Sequence, residues 1–144
     1  MPAEAFAKAG LRVWNTMKVS RFEELEIWKL ARELYKYVFR ITSLEPFCRD
    51  YKFRDQMRDS SGSISDNIAE GFERGGNKEF IQFLSISKGS CCETRNQSYR
   101  AFDSEYISQE VLDELLKRTD TLSRKTANLI ISLKSSDRKG VKYD

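Results

Sequence analysis

Ile64-Ser65-Asp66-Asn67-Ile68-Ala69-Glu70-Gly71-Phe72-Glu73-Arg74-Gly75-Gly76-Asn77-Lys78-Glu79-Phe80-Ile81-Gln82-Phe83-Leu84 is the stretch that decides the fold. Large apolar residues recur every three or four positions on both sides of Gly75-Gly76, which is the period of one helical face. A glycine can end a helix in the left-handed region, and Asn77 is a suitable cap for the next helix. So short a link makes the two helices antiparallel neighbours. Working outward, the first spine is Phe53, Met57, Ile64, Ile68 and Phe72, with Ser60 and Ser61 where another large residue would fall. The second is Phe80, Phe83, Leu84, Ser87, Cys91, Thr94 and Phe102, ending near Asp103. Residues whose numbers sum to about 152 should face each other across such a hairpin. That register sets Gly62 against Gly89 and Ser90, as a close approach of two backbones, and Arg58 near Glu93.

Two more helices flank this hairpin. Ser20-Arg21-Phe22-Glu23 has the form of a capping box, which predicts a helix over residues 21–42. Ile27, Leu30, Ala31, Leu34, Tyr37, Val38 and Ile41 share one of its faces, and Leu25, Trp28, Tyr35 and Phe39 form an adjoining one. Ser43 to Lys52, with Pro46 and Asp50, is the connection to the hairpin. Ser108 precedes a last spine of Val111, Leu112, Leu115, Leu116, Thr119, Leu122, Thr126, Ile130 and Leu133. The expected fold is all-α, an antiparallel up-and-down four-helix bundle over residues 20–134. Residues 1–19 hold Trp14 but no sustained helical period, and predict an N-terminal arm with Met17 as a candidate initiator. Residues 135–144 predict a polar, frayed C-terminal tail.

Composition excludes several function classes. The 144 residues suit one domain with one core. Proline occurs only at positions 2 and 46, so long helices are permitted after Pro46. No run approaches the roughly 18 apolar residues of a membrane span, and the expected location is cytoplasmic. Cys48, Cys91 and Cys92 are an odd set containing an adjacent pair, which argues against a disulfide framework. The chain has no histidine, and so lacks the commonest general base and transition-metal ligand.

The richest polar stretch, Asn67 to Arg74, places Asn67, Glu70 and Arg74 at helical spacing, and with Gln56 and Glu93 it predicts a buried structural network. Two inward carboxylates could instead serve acid–base or di-metal chemistry, but a ferritin-like di-metal bundle needs Glu-x-x-His pairs. No catalytic residue, metal ligand or cofactor is therefore expected, and Cys91 lies with the packing spine. The net charge of +3 does not imply nucleic-acid binding, so the distribution of cations must carry any such case. Lys29, Lys36 and Arg40 on one edge of the first helix, followed by Arg49, Lys52, Arg54 and Arg58, could track a phosphate backbone. Ordinary solvated faces are the alternative. The second apolar face of the first helix, Leu25, Trp28, Tyr35 and Phe39, exceeds what one bundle core needs and predicts an oligomer interface.

Phe22-Glu23-Glu24-Leu25-Glu26-Ile27-Trp28, Gln56-Met57-Arg58, Ser63-Ile64-Ser65-Asp66-Asn67-Ile68-Ala69-Glu70-Gly71, Glu79-Phe80-Ile81-Gln82-Phe83-Leu84 and Lys88-Gly89-Ser90 with Glu93 occur in that order. Together they resemble the bacterial four-helix-bundle proteins named after open reading frames within 23S ribosomal RNA intervening sequences. The similarity covers roughly residues 20–134. It implies an up-and-down bundle, a cyclic homopentamer and no established catalysis. It also implies a link to RNA, since related accessory proteins of diversity-generating retroelements are pentameric and bind nucleic acid. Cys91, Cys92 and the segment before Met17 depart from the family pattern. The expected function is a non-enzymatic homo-oligomeric scaffold that associates with structured RNA or other nucleic acid. The alternative is an adaptor for an unidentified protein partner with no nucleic-acid role.

Overall fold

A computed structural model describes the backbone of residues 12–14 and 17–141, with side chains from Val19 to Ser136. Four helices form the bundle: α1 (Glu26–Thr42), α2 (Tyr51–Glu73), α3 (Asn77–Asp103) and α4 (Gln109–Val141). Each packs on its neighbour in sequence, and α1 closes the bundle against α4, which is the up-and-down arrangement. Every pairing is antiparallel. Phe72 meets Phe80 at 5.8 Å at the α2–α3 turn, and Lys125 Nζ reaches Glu26 Oε1 at 2.9 Å across α4 and α1.

Local sequence explains most of the boundaries. Asp50 caps α2 by accepting from Phe53 N at 3.2 Å, and Ser108 Oγ accepts from Val111 N at 3.2 Å at the start of α4. Gly75 ends α2 with φ 87°, the left-handed value that glycine adopts without strain. The cap of α3 is Gly76, in extended conformation, so Asn77 is the first helical residue and not the cap.

Two boundaries differ from expectation. The first helix does not begin at Arg21. Phe22–Glu24 form a single 3-10 turn, Ser20 Oγ bonds Glu24 Oε1 at 2.7 Å, and Leu25 is extended at φ −70°, ψ 129°. That break lets the Leu25 side chain turn into the core, where it is buried. At the other end, α4 runs on to Val141 through the expected tail. No proline interrupts it. Within the expected arm, β1 (Arg12–Trp14) and β2 (Met17–Val19) pair antiparallel with Arg12 opposite Val19. The Trp14 side chain lies outside the described residues.

The core holds Leu34 and Val38 of α1, Met57, Ile64 and Ile68 of α2, Phe80 and Leu84 of α3, and Leu115, Leu122 and Leu133 of α4. Each such side chain contributes about 1.5–3 kcal/mol by leaving water. One end is closed by Phe47, whose ring lies 5.1 Å from Phe53 and 5.0 Å from Tyr106. Tyr106 donates to Asp50 Oδ2 at 2.8 Å, so Asp50 ties the α3–α4 connection to the start of α2.

The hairpin register is the expected one: Ser90 bonds Ser63 at 3.1 Å, and Ser87 bonds the Ile64 carbonyl at 2.9 Å. The glycines, however, serve differently. A Cβ on Gly62 would meet Tyr35 of α1 at 3.5 Å, and one on Gly89 would meet nothing within 4 Å. The close approach of α2 and α3 is at Gly71, where a Cβ would lie 2.5 Å from Phe83 Cβ. Nor does Arg58 face Glu93; it turns to α1, where its Nε donates to Thr42 Oγ1 at 2.9 Å.

Candidate nucleic-acid interface

The outward face of α1 carries a cation at Lys29, Arg32, Lys36 and Arg40, steps of three and four residues that align on one helical stripe. All four are exposed. At 1.5 Å per residue the stripe is about 16 Å long, the length of several phosphate steps. Lys36 approaches Glu33 at 3.4 Å, an exposed pair that adds little. The other three make no ion pair among the described residues. Arg32 lies 5.7 Å from the Trp28 ring and Arg40 5.8 Å from the Tyr37 ring. From the opposite helix, Arg118 reaches the same Tyr37 ring at 4.8 Å. The Tyr37 phenol is pushed above its ordinary pKa by burial and by Glu114, with Arg118 and Arg40 opposing the shift. Arg32 was not among the sequence candidates, although its spacing from Lys29 and Lys36 carried the signal.

The second group of sequence candidates is dispersed. Arg49 pairs with Glu45 at 2.7 Å. Arg54 bonds Asp55 at 2.9 Å and the Cys48 carbonyl at 3.3 Å. Arg58, besides its bond to Thr42, donates to Ser43 Oγ at 2.9 Å and stacks 4.1 Å from the Phe39 ring. It thereby pins the end of α1 to α2. Only Lys52 of this group is an exposed cation without such ties.

The predicted self-association face also divides. Leu25 is buried in its own core and cannot face a partner. Trp28 is half-buried, edge-on to Phe22 at 5.4 Å. Tyr35 and Phe39 remain as a pair 6.2 Å apart, with Phe39 45% exposed, and share a shallow hollow of about 370 Å³ with Lys36 and Arg40.

The buried network expected from Gln56, Asn67, Glu70, Arg74 and Glu93 does not form. Glu70 and Arg74 make an exposed i,i+4 pair at 3.1 Å, Asn67 bonds Ser63 within its own helix, and Gln56 and Glu93 are exposed. Those residues point outward because the α2–α3 seam is filled by smaller hydroxyls. Ser60 Oγ lies 3.0 Å from Thr94 Oγ1 and 2.5 Å from Gln97 Oε1, all three residues being buried. On the α3–α4 side, Arg95 donates to the Leu116 carbonyl at 2.8 Å and Cys91 to the Thr119 carbonyl at 3.3 Å. Burial pushes the Cys91 thiol up to about 11, the opposite of an activated nucleophile. Among the described residues, no three His, Cys, Asp or Glu side chains converge as a metal site would, and no helix is long and apolar enough to cross a membrane.

Comparison with known proteins bears on the same residues. A crystal structure of a protein of unknown function from the S23 ribosomal protein family of Bacteroides thetaiotaomicron superposes with a TM-score of 0.66 at 19% identity. The match covers 72% of this chain and 97% of the other. At that identity the likeness speaks for the fold alone. No curated protein matches the chain. Residues 23–128 match the family described as 23S rRNA-intervening sequence protein, a span that reaches from the turn before α1 well into α4. It takes in the Asn-Ile-Ala-Glu-Gly segment of α2 and both sides of the α2–α3 seam, and on that match this four-helix bundle belongs to the 23S rRNA-intervening sequence protein family.

Proposed function

We propose that this protein is a non-enzymatic, self-associating helical scaffold of the cytoplasm that binds structured RNA through the cationic stripe of α1. The observation that supports it is the stripe itself, where Lys29, Arg32 and Arg40 lack any carboxylate partner among the described residues while most other arginines of the bundle are tied down. A row of exposed cations on a rigid helix, of which only Lys36 has a carboxylate beside it, is suited to phosphates, because phosphate contacts need position and charge and no base reading. Self-association through Tyr35 and Phe39, in the homopentamer that the family resemblance implies, would repeat the stripe and turn weak single contacts into avidity.

The test is fluorescence anisotropy of a labelled RNA hairpin and an unrelated DNA duplex at about 50 and 200 mM salt. Wild type is compared with a variant carrying Lys29→Gln, Arg32→Gln, Lys36→Gln and Arg40→Gln. Binding falls steeply with salt in the wild type. In the variant the log–log slope is shallower, by roughly 0.7–0.9 for each phosphate contact removed. Absence of binding to either nucleic acid at the lower salt refutes the reading and leaves the protein-binding adaptor in its place.

A further inference from the structure

On the face of the bundle between α2 and α3 lies a polar cleft of about 400 Å³ that neither helix packing nor the α1 stripe uses. Its wall includes Gln97, only 5% exposed. The Gln97 oxygen receives the Ser60 hydroxyl at 2.5 Å. That distance suits an O–H···O bond and is too short for N–H···O, so the amide oxygen faces Ser60 and the amide nitrogen faces the cleft. Nε2 then has two N–H groups and no acceptor among the described residues. A buried amide left so is costly and calls for a partner. At the rim stand Asp59 on α2 and Glu93 on α3, neither of which makes an ion pair or hydrogen bond among the described residues. Arg100 completes the wall, its guanidinium carbon 4.2 Å from the centre of the Phe53 ring and its Nη2 donating to Gln56 Oε1 at 3.3 Å.

We propose that the α2–α3 cleft binds a guanine base, free as a nucleotide or unpaired in single-stranded RNA. The ligand must bring an acceptor for Gln97 and adjacent donors for a carboxylate, on a plane that can lie against a guanidinium. Guanine does this on one edge: O6 accepts from Gln97 Nε2, while N1–H and the 2-amino group donate together to a rim carboxylate. Adenine offers N1, an acceptor, where the carboxylate needs a donor, and uracil has a single N–H between two carbonyls. Arg100 supplies the stacking plane, a recurrent way of holding splayed-out bases. The rim carboxylates repel phosphate, which keeps the sugar–phosphate chain outside the cleft. The RNA-borne form rests on the function proposed above; the nucleotide form does not.

Isothermal titration with GMP, IMP and AMP, on wild type and on Asp59→Asn/Glu93→Gln, tests the cleft. Both substituted residues are exposed and unpaired, so the variant should fold as the wild type does, which circular dichroism checks. GMP binds the wild type at least about tenfold more tightly than IMP, which lacks the 2-amino group, or AMP, and the variant loses that preference. Equal binding of GMP and AMP, or a GMP affinity untouched by the double substitution, overturns the inference. A second arm uses a uracil-rich single-stranded RNA with one guanine and its inosine counterpart. RNA binding without guanine preference overturns the RNA-borne form and spares the α1 stripe. GMP binding with no RNA binding upholds the cleft and defeats the RNA scaffold.

Discussion

Three helical glycines give the same substitution opposite signs, and this follows from geometry alone. At Gly71 an added Cβ would sit 2.5 Å from Phe83 Cβ, 3.1 Å from Phe80 Cδ1 and 3.2 Å from Phe83 Cγ. Carbon atoms rest at about 3.5–4.0 Å, so α2 and α3 must separate by about 1 Å. Phe83 Cβ is fixed to its backbone and cannot rotate away. Overpacking of this kind costs about 1–3 kcal/mol, and the better helix propensity of alanine returns up to about 1. The 2.5 Å contact with an atom that cannot move puts this site in the upper part of that range, so Gly71→Ala should destabilise by about 1–2 kcal/mol. At Gly89 nothing lies within 4 Å, so Gly89→Ala should stabilise by about 0.5–1 kcal/mol. Gly62→Ala, with Tyr35 at 3.5 Å, gains an ordinary contact and falls near Gly89→Ala. Thermal unfolding followed by circular dichroism at one protein concentration should place Gly71→Ala and Gly89→Ala about 5–10 °C apart, on either side of wild type. A midpoint for Gly71→Ala at or above wild type would refute the close approach.

Further outcomes are expected. Cys92 should react with a thiol reagent at pH 8 in the native protein, while buried Cys91, its thiol raised to about 11, should react only on unfolding; equal rates would contradict its burial. The Tyr106 phenol is raised by its hydrogen bond to Asp50, then by burial and by the Asp50 charge. Its neutral form is favoured in the fold, so this contribution is complete below the unfolded tyrosine pKa of about 10 and is lost as pH climbs through the folded value. Tyr106→Phe should lower stability at neutral pH and flatten the alkaline limb of the unfolding profile, and an unchanged limb would show that the bond is absent. Tyr35→Glu with Phe39→Glu should yield smaller species in light scattering with helicity retained, whereas a wild type that is already monomeric at micromolar concentration removes this face as an interface.

Periodicity alone was enough for the bundle, because the spines of α2, α3 and α4 repeat at helical spacing and Gly75 offers the one conformation that stops α2 abruptly. The hairpin register followed from the length of that turn. Local rules failed where a side chain had two uses. Ser20 and Glu23 have the letters of a capping box, but burying Leu25 requires an extended residue there, and the gain from the core exceeds that of the cap. Asn67, Glu70 and Arg74 share a face by spacing, yet which face meets α3 depends on how far α2 is rotated, and the Gly71–Phe83 contact sets that rotation. The α1 stripe could be read from sequence because its cations lie three and four residues apart on one helix. The cleft could not. Asp59, Glu93, Gln97 and Arg100 come together only when two helices pair, and the unpartnered Gln97 amide exists only because Ser60, thirty-seven positions away, occupies the other end of it.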